Sequence, residues 1–186
     1  MQRRPLLITA LAVPLRARAD DTLAARVRAG GVVVAFRHAL APGTFDPPGF
    51  QLDDCRTQRN LNDEGRAQSR RIGAWFSDHR LVPARVRSSP WCRCVDTAQG
   101  AFGRAEPWAA LGSPRAGTET TNTQSLAALR QALADAARQP GRFEAWFTHM
   151  FVLADLVGGN TGSGEGLVLQ GSPDGRVALL GRIVIP

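Results

Sequence analysis

Residues 32–38 read V-V-V-A-F-R-H, an apolar run that ends abruptly in an arginine and a histidine. An unbroken β-branched run after two glycines is typical of a strand buried on both faces, in the interior of an α/β sheet. Side chains at the carboxyl end of such a strand point into the crevice where these sheets bind ligands. Arg37 and His38 would suit holding a phosphate while attacking it; the alternative is a strand that simply ends in polar residues.

The composition indicates a soluble globular protein of one domain. The 186 residues are 44% hydrophobic and 21% charged, which is ordinary for this class. All 23 basic residues are arginine, and together with the abundant alanine and glycine this indicates a nucleotide composition bias. The high isoelectric point is therefore not evidence for nucleic-acid binding, and we expect no nucleic-acid partner.

The first 19 residues have the layout of a secretory signal peptide. A basic start is followed by an apolar stretch at 5–15 and by an A-x-A site that ends at Ala19. The apolar stretch is too short to span a bilayer, so we expect no stable membrane insertion. We expect cleavage after Ala19, a periplasmic location and a single mature domain at 20–186. Cleavage removes four arginines and no acid, so the net charge falls from +7 to +3. The alternative is a frayed cytosolic N-terminus.

Three cysteines lie in the predicted mature chain, and an oxidising compartment permits one disulfide among them. Cys92 and Cys94 are too close in sequence to pair comfortably. We predict a disulfide between Cys55 and Cys92, because both flank candidate site segments, with three buried reduced thiols as the alternative. A zinc site is a poor fit, because no C-x-x-C is present and the histidines are far from the cysteines in sequence. We expect no metal and no cofactor.

Strand-like runs alternate with helical patterns along the chain. This alternation predicts a three-layer α/β/α sandwich with a mostly parallel central sheet, closed by a C-terminal antiparallel pair. The proline- and glycine-rich segment 39–54 is predicted to be a loop of the kind that covers a substrate, and 106–122 is predicted to be a second loop. The predicted helices are 20–29, 62–78, 91–102, 122–138 and 150–156, and the predicted strands are 31–36, 82–88, 142–148, 167–170 and 177–185.

Three of the predicted strands end close to side chains that could bind or react with a ligand. The first ends at Arg37 and His38. The second is followed by Arg93, one turn into the next helix, and the third ends at His149. The carboxyl ends of parallel strands meet at one edge of a sheet. If these strands are parallel, two histidines and two arginines share one pocket.

This set of motifs resembles the histidine phosphatase (phosphoglycerate mutase-like) superfamily. The family signature R-H-G is matched at 37–39, with Ala39 in place of the glycine. The family segment S-P-x-x-R-x-x-x-T-A is matched at 89–98, R-x-L-x-x-x-G-R at 59–66, and a strand ending in T-H at 148–149. Among the family branches, the chain looks most similar to small exported proteins related to lipopolysaccharide-core heptose phosphate phosphatases.

The resemblance implies a phosphomonoester hydrolase that uses no metal and forms a phosphohistidine on His38. Arg37, Arg93 and, as a third contact, Arg59 would bind the phosphate oxygens through forked hydrogen bonds. Their positive field should keep the histidines neutral, which leaves the lone pair that phosphorus needs. His149 would stabilise the transferring phosphoryl group.

The leaving alkoxide needs a proton, so the reaction requires a nearby carboxylic acid. Glu119, in the predicted loop 106–122, is the favoured candidate because several family members place their acid there. Glu165, Asp53 and Asp54 are the alternatives.

The expected substrate is a phosphorylated envelope sugar or another small phosphomonoester. One alternative is a non-catalytic phosphate- or phosphosugar-binding protein on the same fold, which would keep the arginines and lack a working acid. A second alternative is a mutase that moves phosphate within its substrate. The oligomeric state does not follow from the sequence. Ala39 bears directly on these alternatives, because a Cβ there crowds the phosphate if the turn needs a positive φ.

Overall fold

The computed structural model describes residues 15–113 and 122–185. Within them, one six-stranded sheet forms the centre of the molecule. The strands are β1 (Val32–Arg37), β2 (Arg85–Ser88), β3 (Glu106–Pro107), β4 (Phe143–Thr148), β5 (Gly166–Gly171) and β6 (Val177–Ile183).

The strand order across the sheet is β3-β2-β4-β1-β5-β6. The first four strands in this order are parallel, while β5 runs antiparallel to both β1 and β6. The predicted mixed sheet with a C-terminal antiparallel pair is therefore confirmed. The turn between β5 and β6 closes through a hydrogen bond from Gly175 N to Ser172 O of 3.0 Å.

Five helices cover the two faces of the sheet, which gives the predicted three layers. Side chains of α1, α2 and α3 pack with Val34, Phe36 and Phe147 on one face. Side chains of α4 and α5 pack with Val33, Ala35 and other residues on the opposite face. The helices are α1 (Leu15–Ala29), α2 (Asp63–Asp78), α3 (Cys92–Phe102), α4 (Thr123–Ala137) and α5 (Met150–Val157).

The predicted helix starts follow from local capping. The Asn62 side chain accepts a hydrogen bond from Gly65 N at the start of α2, and Asn122 accepts one from Ser125 N at the start of α4. Each bond satisfies a backbone donor that the first helical turn leaves free. Because Gly30 has a φ of 74° and its Cβ would lie 2.3 Å from Arg142 N, only glycine fits between α1 and β1.

Three differences from the sequence prediction have a clear physical reason. Helix α1 begins at Leu15 instead of residue 20, because the alanine, arginine and leucine residues before Asp20 are good helix formers. Strand β2 begins only at Arg85, after Pro83, which cannot donate to the ladder. The predicted loop 106–122 opens with the short edge strand β3 and a 3₁₀ turn at Ala109–Leu111, both too short to give a periodic pattern.

Among the described residues, no helix is long and apolar enough to cross a membrane.

Candidate active site

The carboxyl ends of β1, β2 and β4 meet at one edge of the sheet, as the sequence predicted. Arg37 is in register with Thr148, and Ser88 with Phe147. The backbone ladder continues one residue beyond the strands, since His38 N donates to Thr148 O at 2.9 Å. The first residues after these strands are therefore fixed by the sheet itself.

A pocket of about 530 Å³ opens at this edge, a size typical of small-molecule sites. The rings of His38 and His149 lie at its floor, with their centroids 5.6 Å apart. The structure thus brings together five of the residues predicted for the site. They are Arg37, His38, Arg59, Arg93 and His149.

The tautomer of His38 is set by its own backbone. Its Nδ1 lies 2.8 Å from the carbonyl oxygen of Ala39, which can only accept, so Nδ1 carries the proton. The other ring nitrogen, Nε2, therefore holds the lone pair. Among the described non-glycine residues only Arg80 has a positive φ, so the turn at Ala39 does not require the family's glycine. Ala39 N donates to Thr97 Oγ1 at 3.0 Å, which fixes this turn against α3.

His149 is held from both sides of its ring. Its Nε2 lies 2.8 Å from Ser89 Oγ, and its Nδ1 lies 3.5 Å from Nη2 of Arg93. Because a guanidinium only donates, Nδ1 is the accepting nitrogen and Nε2 donates to the serine. The ring of Trp91 packs edge-on against the imidazole, with the centroids 5.2 Å apart.

The three arginines of the pocket carry donors that no protein atom uses. The Nε groups of Arg37, Arg59 and Arg93 are buried and have no hydrogen-bond partner in the described part of the chain. Buried donors of this kind are rare in folded proteins. Arg37 is oriented by a bond of 2.9 Å from its Nη1 to Thr161 O, and Arg59 by a bond to Ala41 O.

Both histidines are neutral at physiological pH. Burial lowers the pKa of His38 to about 3, and the positive charge of Arg93 adds to this effect. The pKa of His149 also lies well below its usual range, first through burial and then through Arg93. Burial, with Arg93 nearby, lowers the pKa of Arg59 to about 10, so this arginine remains charged. The pocket therefore combines two uncharged imidazole rings with fixed positive charge.

Asp46 is a pocket carboxylate that sequence reasoning missed. Its Oδ1 lies 2.8 Å from Nη1 of Arg93, and the two side chains are 9% and 4% exposed. The same carboxylate accepts hydrogen bonds from Trp91 Nε1 at 3.1 Å and from Arg59 N at 2.9 Å. Asp46 thus fastens the loop 39–54 to the floor. Its signal in the sequence, a lone acid between Phe45 and Pro47, is too weak to identify this role.

None of the four acids predicted as proton donors is found among the described residues that line the pocket. Glu119 lies outside the described residues. Glu165 bonds to Arg182 Nη1 at 2.6 Å and to Gly162 N at 2.6 Å, and it does not line the pocket. Neither Asp53, which is exposed, nor Asp54, which bonds to Arg56, lines the pocket.

A disulfide joins Cys55 to Cys92, which confirms the predicted pairing. It links the segment before Arg59 to the first residue of α3, immediately before Arg93. Cys94 is a free, buried thiol, and burial raises its pKa to about 12, so it is not a nucleophile at neutral pH. Within the described ranges, no group of three His, Cys, Asp or Glu side chains is placed to hold a metal ion.

Comparison with known proteins gives a clear result only at the level of structure. No protein-family model and no curated protein matches the sequence. The solved structures of similar fold include the protein histidine phosphatase SixA complexed with tungstate, which is 17% identical and has a TM-score of 0.60. That match covers 82% of this chain and 96% of the other. The chain has the histidine phosphatase (phosphoglycerate mutase-like) fold.

Two further structures with this fold extend the comparison. The putative phosphohistidine phosphatase SixA from Agrobacterium tumefaciens is 22% identical with a TM-score of 0.52, covering 82% of this chain and 97% of the other. A mycobacterial glucosyl-3-phosphoglycerate phosphatase in complex with VO3 is 16% identical with a TM-score of 0.58, covering 81% and 97%. At these identities the likeness establishes the fold, and the chemistry must be argued from the pocket of this chain.

Proposed function

We propose that the protein is a phosphomonoester hydrolase that forms a phosphohistidine on Nε2 of His38. The observation that carries this proposal is the pairing of a buried, neutral imidazole with three converging guanidinium groups. The hydrogen bond from Nδ1 of His38 to Ala39 leaves Nε2 as the nitrogen with the lone pair. The solved phosphatase structures with the same fold support the proposal.

The reaction proceeds in two displacements. The lone pair of His38 Nε2 attacks phosphorus, the bond from phosphorus to the ester oxygen breaks, and the alkoxide leaves with a proton from an acid. Water then attacks phosphorus, the P–N bond breaks, and inorganic phosphate leaves while His38 is restored. Arg37, Arg59 and Arg93 hold the phosphate oxygens, and their charge offsets the repulsion that an anionic ester presents. The proposed steps use no metal, so a chelator should leave the activity unchanged.

The proton donor is the open part of the mechanism. Glu119 is the proposed donor, on the basis of the family resemblance. Asp46 is the acid that lines the pocket in the described part of the chain, but it is ion-paired with Arg93. Because the ion pair with Arg93 keeps Asp46 from acting as a proton donor, it favours a second candidate function. This is a phosphate-binding protein that holds the anion without turnover.

The decisive experiment compares wild type with His38→Ala on a generic phosphate monoester. We expect hydrolysis by wild type, a loss of at least about 10³-fold in the variant, and an acid-labile phosphoenzyme in wild type only. Equal turnover by the two proteins would contradict the mechanism. No turnover by either, with phosphate binding retained, would favour the binding protein. Glu119→Gln on the same substrate tests the donor, with Asp78→Asn, at an exposed acid that does not line the pocket, as the control.

We also propose that the protein is exported to the periplasm after cleavage behind Ala19, as a member of the small exported branch. The disulfide between Cys55 and Cys92 supports this location, because such bonds persist in oxidising compartments. Amino-terminal sequencing of the periplasmic form should begin at Asp20. Recovery of the intact Met1 terminus in the cytosol would contradict the proposal. Both a phosphorylated envelope sugar and another small phosphomonoester are compatible with this location.

A further inference from the structure

The outer wall of the pocket is chemically unlike its floor. Above the arginines and histidines, the lining consists largely of aromatic, proline and methionine side chains from the loop 39–54 and the start of α5. Phe45 is 70% exposed, although it belongs to the lining of a concave site. We call this surface the apolar rim. It comprises Phe45, Pro47, Pro48, Phe50, Met150 and Phe151.

The rim is continuous with the floor through one aromatic residue. Phe50 packs on Trp91 with the ring centroids 6.0 Å apart, and Trp91 packs on His149. Trp91 also donates to Asp46, which lies next to Phe45 in the chain. A group attached to a phosphate on His38 would therefore leave the floor along aromatic and aliphatic surface.

The polar groups that a sugar needs are scarce on this wall. Sugar sites hold hydroxyl groups with amide, carboxylate and further charged side chains. Among the described residues, Thr44 and Ser113 are the uncharged polar side chains that line the pocket, and Asp46 is committed to Arg93. Desolvating several hydroxyl groups against an apolar wall costs free energy unless each is hydrogen-bonded.

The charge of the pocket is matched to one phosphate. The three lining arginines belong to the floor, and one of their charges is balanced by Asp46. With both histidines neutral, the remaining charge equals that of a phosphate dianion. No further cation of the described residues lines the pocket to receive a carboxylate or a second phosphate on the leaving group.

We propose that the leaving group presents an apolar face, so that the preferred substrate is an aryl or alkyl phosphomonoester. The inference rests on the proposed hydrolase function and specifies its substrate class. The phosphate fixes the ester on the floor, while the apolar rim receives the carbon skeleton and excludes water from it. A phosphorylated sugar is the competing substrate class.

The test compares three esters of primary alcohols, so that the leaving groups are chemically alike. These are benzyl phosphate, glucose 6-phosphate and 3-phosphoglycerate. We expect kcat/KM to be at least tenfold higher for benzyl phosphate than for either of the others. A kcat/KM for glucose 6-phosphate equal to or above that for benzyl phosphate would overturn the inference and leave the hydrolase function standing.

Substitutions in the apolar rim test whether the rim causes the preference for benzyl phosphate. Phe45→Ala and Phe151→Ala should each lower kcat/KM for benzyl phosphate at least fivefold, while the inhibition constant of inorganic phosphate stays within twofold. Val82→Ala is the matched control, because Val82 is 81% exposed and does not line the pocket. Losses of the same size for glucose 6-phosphate and benzyl phosphate would overturn the assignment.

Binding separates this inference from the proposed function. Phosphonates cannot be hydrolysed at the P–C bond, so their affinities report the pocket without turnover. We expect benzylphosphonate to bind at least tenfold more tightly than methylphosphonate. If no ester is hydrolysed, the proposed function fails, and this affinity ratio still tests the rim. Equal affinities would overturn the inference whether or not the protein is an enzyme.

Discussion

The floor and the apolar rim of the pocket are built in different ways. The floor stands on the ends of β1, β2 and β4, where the sheet fixes the backbone up to His38 and Ser89. The rim belongs largely to the loop 39–54, which has no place in the sheet. It is held by individual side-chain links. The proposed chemistry therefore depends on the sheet, whereas the shape around the leaving group depends on a few side-chain links.

Three tethers hold the loop segment against α3. Asp46 joins Arg93 and Trp91, and the disulfide joins Cys55 to Cys92. The third is the buried Gln58, whose Oε1 accepts from the backbone N of Cys92 at 3.0 Å, while its Nε2 donates to carbonyls of the loop. All three meet α3 within its first turn or just before it, next to the floor.

The largest expected effect comes from breaking the buried ion pair. Asp46→Asn leaves the Arg93 guanidinium buried without its counter-charge, which costs about 3–5 kcal/mol in comparable sites. We expect the free energy of unfolding, measured in denaturant without phosphate, to fall by about 3 kcal/mol or more. Asp53→Asn, at an exposed acid of the same chain segment, should change it by less than about 0.5 kcal/mol. Equal losses would mean that Asp46 is not a tether.

The floor is tested by Arg37→Ala. Removing one preorganised donor to the phosphoryl group costs about 10²–10³-fold in kcat in comparable sites. We expect a loss of this size in kcat, with the melting temperature within a few degrees of wild type, because Arg37 forms no ion pair with the described residues. Arg142→Ala, at an exposed arginine away from the pocket, is the control. A change confined to KM would show that Arg37 only binds the substrate.

Removing the disulfide tests the apolar rim, where we expect KM to change more than kcat. Cys55 and Cys92 close a loop with a sequence separation of 37, and such links stabilise by about 2–4 kcal/mol. Changing both cysteines to serine should lower the free energy of unfolding by that amount. It should raise KM more than it lowers kcat, since the loop 39–54 is loosened and the sheet is not. Reductant should reproduce the change in wild type and have no effect on the double variant. Three free thiols in the denatured, unreduced protein would contradict the bond.

The smallest expected effect is a pH dependence of the free energy of unfolding, which His38 on the floor of the pocket causes. The pKa of His38 is about 3 in the folded protein and close to 6.5 in the unfolded chain. Between these values the unfolded chain binds more protons, so the free energy of unfolding falls as the pH falls through this window. From pH 7 to pH 5 the contribution of His38 is about 2 kcal/mol.

His38→Gln supplies the comparison for this pH effect. The variant should lose about 2 kcal/mol less than wild type between pH 7 and pH 5, as measured by denaturant unfolding at each pH. Val82→Ala, at an exposed side chain that does not titrate, is the control and should follow wild type. A variant that loses as much as wild type would mean that folding does not lower the pKa of His38.

The floor was predictable from the sequence because strong patterns specify it. Arg37 and His38 follow an apolar run, which predicts that they lie at the carboxyl end of a buried strand. Since the carboxyl ends of parallel strands meet at one edge of the sheet, His149 was predicted to lie beside them. The alternation of strand-like and helical patterns also predicted the helices at 62–78 and 122–138. The disulfide prediction rested on Cys55 and Cys92 both flanking candidate site segments.

The rim was not predictable for the opposite reason. Asp46 bonds to side chains 45 and 47 residues away, and no periodic pattern relates a proline-rich loop to a helix start at that distance. The edge strand β3 has two residues, which is too short for an alternating pattern. The favoured acid, Glu119, lies outside the described residues and stays a prediction.

The hydrogen bond from Nδ1 of His38 to the Ala39 carbonyl also decides a question of regiochemistry. A phosphoryl group on the imidazole can sit on either ring nitrogen, and the two isomers differ in hydrolytic stability. With Nδ1 committed to the backbone carbonyl of Ala39, the proposed phosphoenzyme would carry the phosphoryl group on Nε2, which is the 3-phosphohistidine isomer. Phosphorus NMR or isomer-specific antibodies on the trapped phosphoenzyme distinguish the two. In the proposed mechanism the choice of isomer is thus made by the turn at Ala39.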